Sequence, residues 1–174
     1  MIPPSLLGAR DRAILLLIAR LGLRASDVSA LKFSDLLWQQ GTLIGSGKNR
    51  RATRLPLPQD AGEAILHYLS HRQPHKVSDS VFSTVTAPWV PISRHAIRGV
   101  IMAALRRTGL SAPTRGAHLL RHSAATRLLR DGVSLAAIGA LLRHASIETT
   151  TLYAKVDVDL LRELAMPWPE VQPC

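Results

Sequence analysis

The chain has 174 residues, of which 47% are hydrophobic, enough for one ordinary domain with a real core and too apolar for wholesale disorder. Its net charge of +10 points to a polyanionic partner. The longest apolar run, residues 13–19 between Arg12 and Arg20, is too short to span a bilayer and reads as a buried helix, so no membrane partner is expected. No signal-peptide pattern opens the chain, and the single cysteine, Cys174, excludes an internal disulfide. Both fit a reducing cytoplasm.

In chain order, Ile14, Leu17, Ile18 and Leu21 follow the i, i+3, i+4, i+7 spacing of a helix, and Gly22 supplies a stop. Ser26 is placed to cap a short second helix through Asp27, Val28 and Leu31. Residues 35–57 read as a small antiparallel sheet, with strands at 36–38, 42–44 and 53–57 and a turn at Gln39-Gln40-Gly41. Between the last two strands, Gly45-Ser46-Gly47-Lys48-Asn49-Arg50 forms a hairpin tip. A helix over 60–71 turns Ala64, Ile65, Leu66 and Leu69 toward the core, with Tyr68 a packing residue. Residues 72–91, interrupted by Pro74, Pro88 and Pro91, read as a loop with one buried extended piece at Val81-Phe82. Ser93 caps a helix that Gly109 ends. Another runs from about His118 to Asp131-Gly132, and Ser134 caps one reaching Leu142. Two short helices follow at 147–154 and 157–165, then a proline-rich tail with Pro167, Pro169 and Pro173. The expected class is mainly α with a small three-stranded antiparallel β-sheet, in one domain covering 1–174.

The charge is unevenly spread. Residues 80–130 contain no Asp or Glu but eight arginines: Arg94, Arg98, Arg106, Arg107, Arg115, Arg121, Arg127 and Arg130. A second basic group, Lys48, Arg50, Arg51 and Arg54, surrounds the hairpin tip. Guanidinium forks match phosphate oxygens, and counterion release drives such binding.

Within this basic setting three clusters carry chemistry. His118, Arg121 and His122 stand at i, i+3 and i+4 on one helix. An i, i+4 histidine pair invites a zinc reading, but no Glu follows His118 and no third ligand is evident, so no metal is expected. The stronger pairing sets an imidazole that relays a proton beside a guanidinium that grips a phosphate, with His122 a structural contact. Arg24 follows the helix break at Gly22, and Asp27, three residues on, is positioned to hold its guanidinium. The glycine-rich hairpin tip fails as a nucleotide-binding loop, because Thr42 stands where the first glycine is required and Asn49 where Ser or Thr is. A lysine there suits reaching into a groove as a proton donor. Tyr153, nine residues after His144, reads on spacing alone as a partly buried tyrosine that follows a polar run.

Taken together and in this order, these positions resemble the catalytic domain of the tyrosine recombinases, the family of phage integrases and Xer resolvases. Gly22-Leu23-Arg24-Ala25-Ser26-Asp27 is similar to the family's first arginine motif, with Asp27 where Glu is more usual. Lys48 matches its β-hairpin lysine, His118-Leu119-Leu120-Arg121 its His-x-x-Arg box, His144 in Leu-Leu-Arg-His-Ala-Ser its second histidine, and Tyr153 its nucleophile. The resemblance covers about residues 8–165 and implies that fold.

It also implies a chemistry: site-specific cleavage and rejoining of double-stranded DNA through a 3′-phosphotyrosine, without cofactor or metal. Arg24 and Arg121 would hold the phosphate, His118 would assist proton transfer from Tyr153, Lys48 would protonate the leaving 5′-oxygen, and His144 would hydrogen-bond the phosphate. Asp27 supports Arg24, while Arg50, Arg51, Arg115 and Arg127 are the expected DNA contacts. Family members usually carry an N-terminal core-binding domain that closes around DNA, and none is expected within this sequence. Residues 157–165 would be the helix that docks on a neighbouring protomer in a tetrameric synapse, and the implied location is the bacterial cytoplasm, at the nucleoid. Three other readings are open: a type IB topoisomerase relaxing a single duplex, a non-catalytic DNA-binding module, and a phosphate-handling metalloenzyme. The last would need a carboxylate cluster that the sequence lacks.

Overall fold

Helical periodicity and punctuation set most of the architecture. The computed structural model describes residues 4–46, 52–72, 79–109 and 116–142. They form α1 (Pro4–Leu21), α2 (Ala25–Ser29), β1 (Leu36–Leu37), β2 (Thr42–Ser46), β3 (Ala52–Pro56), α3 (Gln59–His71), α4 (Arg94–Thr108), α5 (Ala117–Arg130) and α6 (Leu135–Leu142). Helices thus dominate, beside one antiparallel sheet of order β1-β2-β3, the class that the sequence implies.

Two compact units divide the chain, residues 1–124 and 125–174. In the first, α1 packs on α3. Ala13, Ile14, Leu17, Ile18 and Leu21 are buried on α1, and Ala61, Ala64, Ile65 and Tyr68 on α3. The α3 stripe is the i, i+3, i+4, i+7 arc starting at Ala61, one step away from the sequence expectation. Leu66 therefore lies exposed and Leu69 only half-buried, while the Tyr68 ring stacks on Phe82 with centroids 5.5 Å apart. Ile97, Val100 and Ile101 of α4 are also buried.

In the sheet, register pairs Leu36 with Leu43 and Leu43 with Leu55. Because neighbouring side chains of a strand face opposite ways, this register stacks three leucines on one face, and all three are buried. Trp38, expected in the first strand, instead begins a 3-10 turn ended by Gly41 in the left-handed region (φ 57°).

Three further boundaries follow side-chain chemistry. Ser93 Oγ accepts from the Ala96 N–H at 3.1 Å, Gly109 closes α4 with φ 66°, and Ser134 Oγ accepts from the Ala137 N–H at 3.2 Å. In the second unit, Ala125, Ile138 and Leu142 form a core, with Leu128, Leu129 and Val133 packed against it. The helices read from the sequence at 147–154 and 157–165 lie outside the described residues.

Candidate functional site

The site grows from the turn between α1 and α2. Gly22 takes φ 60°, a conformation that costs an L side chain about 1–2 kcal/mol and glycine almost nothing. Helix α1 ends there, and Leu23 is buried at 1% exposure, which fixes the direction of the next residue. Arg24 is half-buried and extended (φ −75°, ψ 154°), and it is the N-cap of α2. That corrects the expectation that Ser26 would cap this helix. Arginine is a poor cap, and the deficit is met from the other side: the Asp27 carboxylate accepts the Arg24 backbone N–H at 3.0 Å. Asp27 is itself buried, so this bond anchors the main chain at Arg24.

Arg121 arrives from α5. It is 5% exposed, and its Nη1 donates to the carbonyl oxygen of Gly22, 99 positions away in sequence. A buried guanidinium requires such partners, since stripping water from an uncompensated charge costs several kcal/mol. The bond brings the two arginine motifs to one place. On the same helix His118 is exposed and His122 half-buried. Burial lowers the His122 pKa below 6.5, and the nearby His118 and Arg121 lower it further. A neutral His122 beside a buried guanidinium fits a structural role for this imidazole.

Of the remaining expected residues, Arg127 is exposed on α5 and pairs with Asp131 at 3.8 Å. Such exposed pairs contribute little, so this one can exchange for another anion at small cost. Lys48, Arg50, Arg51, Arg115, His144 and Tyr153 lie outside the described residues. Among the described residues no group of three or more His, Cys, Asp or Glu side chains could hold a metal ion.

A basic surface emerges that the sequence motifs do not reveal. Residues 93–96, 98 and 99 of α4 and its cap are exposed, which presents Arg94, His95 and Arg98 to solvent. The acid-free run is visible in the sequence, but which face of α4 turns outward is not. A surface groove of about 450 Å³ runs along α1, lined by Leu7, Asp11, Leu15 and Arg107 among others, and none of the motif residues line it. The arginine cluster is not enclosed by this groove.

Comparison with known proteins agrees in extent and kind. The model of the phage integrase family matches residues 3–159. A Sinorhizobium fredii protein of the integrase/recombinase class, y4rA, is 44% identical over 164 residues, covering 94% of this chain and 40% of its own length. The crystal structure of XerA recombinase superposes with a TM-score of 0.78 at 26% identity, over 90% of this chain and 55% of that one. The XerH site-specific recombinase, in a post-cleavage complex with its palindromic difH substrate, gives 0.80 at 24% identity, over 98% of this chain and 49% of that one. The chain therefore spans about half the length of these relatives, or less.

Proposed function

Since the chain belongs to the phage integrase family, we propose that it supplies the catalytic domain of a site-specific recombinase, cleaving and rejoining double-stranded DNA through a 3′-phosphotyrosine. The observation that carries this reading is the Arg121–Gly22 bond, which sets Arg121 beside the turn that orients Arg24. Two guanidiniums near one point match the non-bridging oxygens of a phosphodiester. In the pentavalent transition state those oxygens gain charge, and fixed cations stabilise it without reorganising.

In this mechanism Tyr153 Oη attacks phosphorus and the bond to the 5′-oxygen breaks. A tyrosine hydroxyl has a pKa of about 10, so its proton must leave as attack proceeds, and His118, exposed on the same helix as Arg121, assists that transfer. Lys48 gives a proton to the departing 5′-oxygen, and His144 hydrogen-bonds the phosphate. The phosphotyrosine conserves the bond energy, so a second 5′-hydroxyl reseals the strand with no nucleotide cofactor. Arg50, Arg51, Arg115 and Arg127 grip the flanking backbone, joined by Arg94 and Arg98 of α4. Exchange between two sites takes place in a tetramer on DNA, linked through residues 157–165, in the bacterial cytoplasm at the nucleoid.

A nicked suicide duplex tests the central claim. Tyr153→Phe removes one hydroxyl, so covalent attachment should vanish while non-covalent binding stays nearly unchanged. Persistent covalent complex, or its transfer to Tyr68, would refute the assignment of the nucleophile.

A further inference from the structure

Helix α3 closes with two histidines four positions apart, His67 and His71, both exposed. Residues at i and i+4 share a helical face, and the two rings stand with centroids 4.6 Å apart and planes at 55°. A metal ion shared by two imidazoles imposes much the same spacing. With bonds of ~2.1 Å to one nitrogen of each ring and bond angles of about 90–110°, the centroids fall about 4.5–5.2 Å apart.

Hydrogen bonding selects the ligating atom. His71 Nδ1 lies 2.8 Å from the His67 carbonyl oxygen, which can only accept, so Nδ1 carries the proton. In the neutral ring the lone pair is therefore on Nε2. Ser70 Oγ braces this orientation, 3.1 Å from the same nitrogen and donating to the same carbonyl at 2.9 Å. A backbone carbonyl on the far nitrogen is the usual outer support of a ligating imidazole, because it fixes the tautomer and makes the other nitrogen more basic. His71 also belongs to the last turn of α3, where the negative end of the helix dipole favours a cation. Glu63, one turn before His67, engages Gln59 Nε2 at 2.8 Å, leaving two protein ligands with water to complete the shell. We propose that His67 and His71 form a two-histidine clip for a late first-row transition ion such as Ni²⁺, Cu²⁺ or Zn²⁺. Imidazole suits these ions, whereas Mg²⁺ and Ca²⁺ take oxygen ligands. The bound ion ties the last turn of α3 to the one before it, next to Arg72, whose Nη1 donates to the carbonyls of Ser80 and Val81 at 2.8 and 2.9 Å. Its effect is on stability. No residue assigned to strand cleavage falls within α3 (Gln59–His71), so the cleavage step itself stays metal-free.

Calorimetric titration of the untagged full chain with NiCl₂ tests the clip, with thermal melting alongside. At an ion concentration ~100 times Kd the parent Tm should rise by about 5–10 °C. MgCl₂ should produce neither binding heat nor that shift. His67→Gln and His71→Gln keep a good helix former at an exposed position, and melting without metal confirms that each is folded. Each should weaken Ni²⁺ binding at least ~10-fold, the lower end of what losing even an outer support costs. His118→Gln dismantles the i, i+4 histidine pair of α5 and should leave this ion bound. Parental Ni²⁺ affinity in both folded α3 variants would overturn the proposal. So would loss of the ion in His118→Gln alone, which would place it on α5, or an equal response of the parent to MgCl₂.

Discussion

Arg121 shows how much one side chain can be asked to do. Its burial and its bond to the Gly22 carbonyl place a permanent positive charge where the proposed chemistry needs it. Removing a donor of this kind from a transition state costs roughly 3–4 kcal/mol, or ~10²–10³ in rate. Arg24→Ala and Arg121→Ala should each slow strand cleavage by that factor in single-turnover assays, and the parent rate should be indifferent to chelator. Inhibition of the parent by EDTA would count against a metal-free mechanism. His122 offers a second test at this scale. Its folded pKa lies below 6.5 because burial and the charges of His118 and Arg121 disfavour the imidazolium. The unfolded chain therefore binds this proton more readily than the folded one. The stability that a neutral His122 preserves is complete above about pH 6.5 and is lost as pH falls through its folded pKa. Melting temperatures measured from about pH 8 down to about pH 5 should drop less steeply for His122→Gln than for the parent.

Among the elements, the turn from α1 into α2 couples stability to the site most directly. Gly22→Ala puts a Cβ at φ 60°, at a cost of about 1–2 kcal/mol. Ser93→Ala removes the α4 cap at about 1 kcal/mol. For a chain of this length each kcal/mol lowers Tm by about 2–4 °C, so the two variants should melt within a few degrees of one another. Only Gly22→Ala also displaces the acceptor of Arg121 and the backbone leading to Arg24. It should lose far more DNA cleavage than Ser93→Ala, and equal losses would mean that the turn matters for stability alone. Ser93, Gly109 and Ser134 mark helix ends that can be read from the sequence, because capping is local chemistry. The α2 cap misleads for the opposite reason: Asp27 reaches back to the Arg24 N–H, so the helix opens two residues before the serine best suited to cap it.

At the scale of the whole molecule, the proposal links residues after Lys155 to assembly on DNA. Val158, Leu161 and Leu164 fall at i, i+3 and i+6, an apolar stripe in any helix that forms there. Deleting everything beyond Lys155 should reduce recombination between two sites more than cleavage at a single site. Equal loss of both, together with a destabilised truncation product, would assign those residues to packing within one protomer. Gel-shift and two-plasmid recombination assays on the same preparations make the comparison.

Among the described residues, the amino-acid sequence by itself determined the element order, most helix ends, the three-stranded sheet and the motif residues Arg24, His118 and Arg121. These depend on periodicity, capping and spacing, all of which act over a few residues. Tertiary structure decided which arc of each amphipathic surface met the core. On α3 two overlapping apolar arcs competed, and packing against α1 and Phe82 selected the one with Tyr68 and left Leu66 in solvent. It likewise decided that the arginines of α4 face outward and that Trp89 is left partly exposed. Above all it joined Arg121 to Gly22 across 99 residues. No local pattern encodes that contact, because it forms only when burial of Arg121 forces a desolvated guanidinium to find the carbonyl of a distant turn.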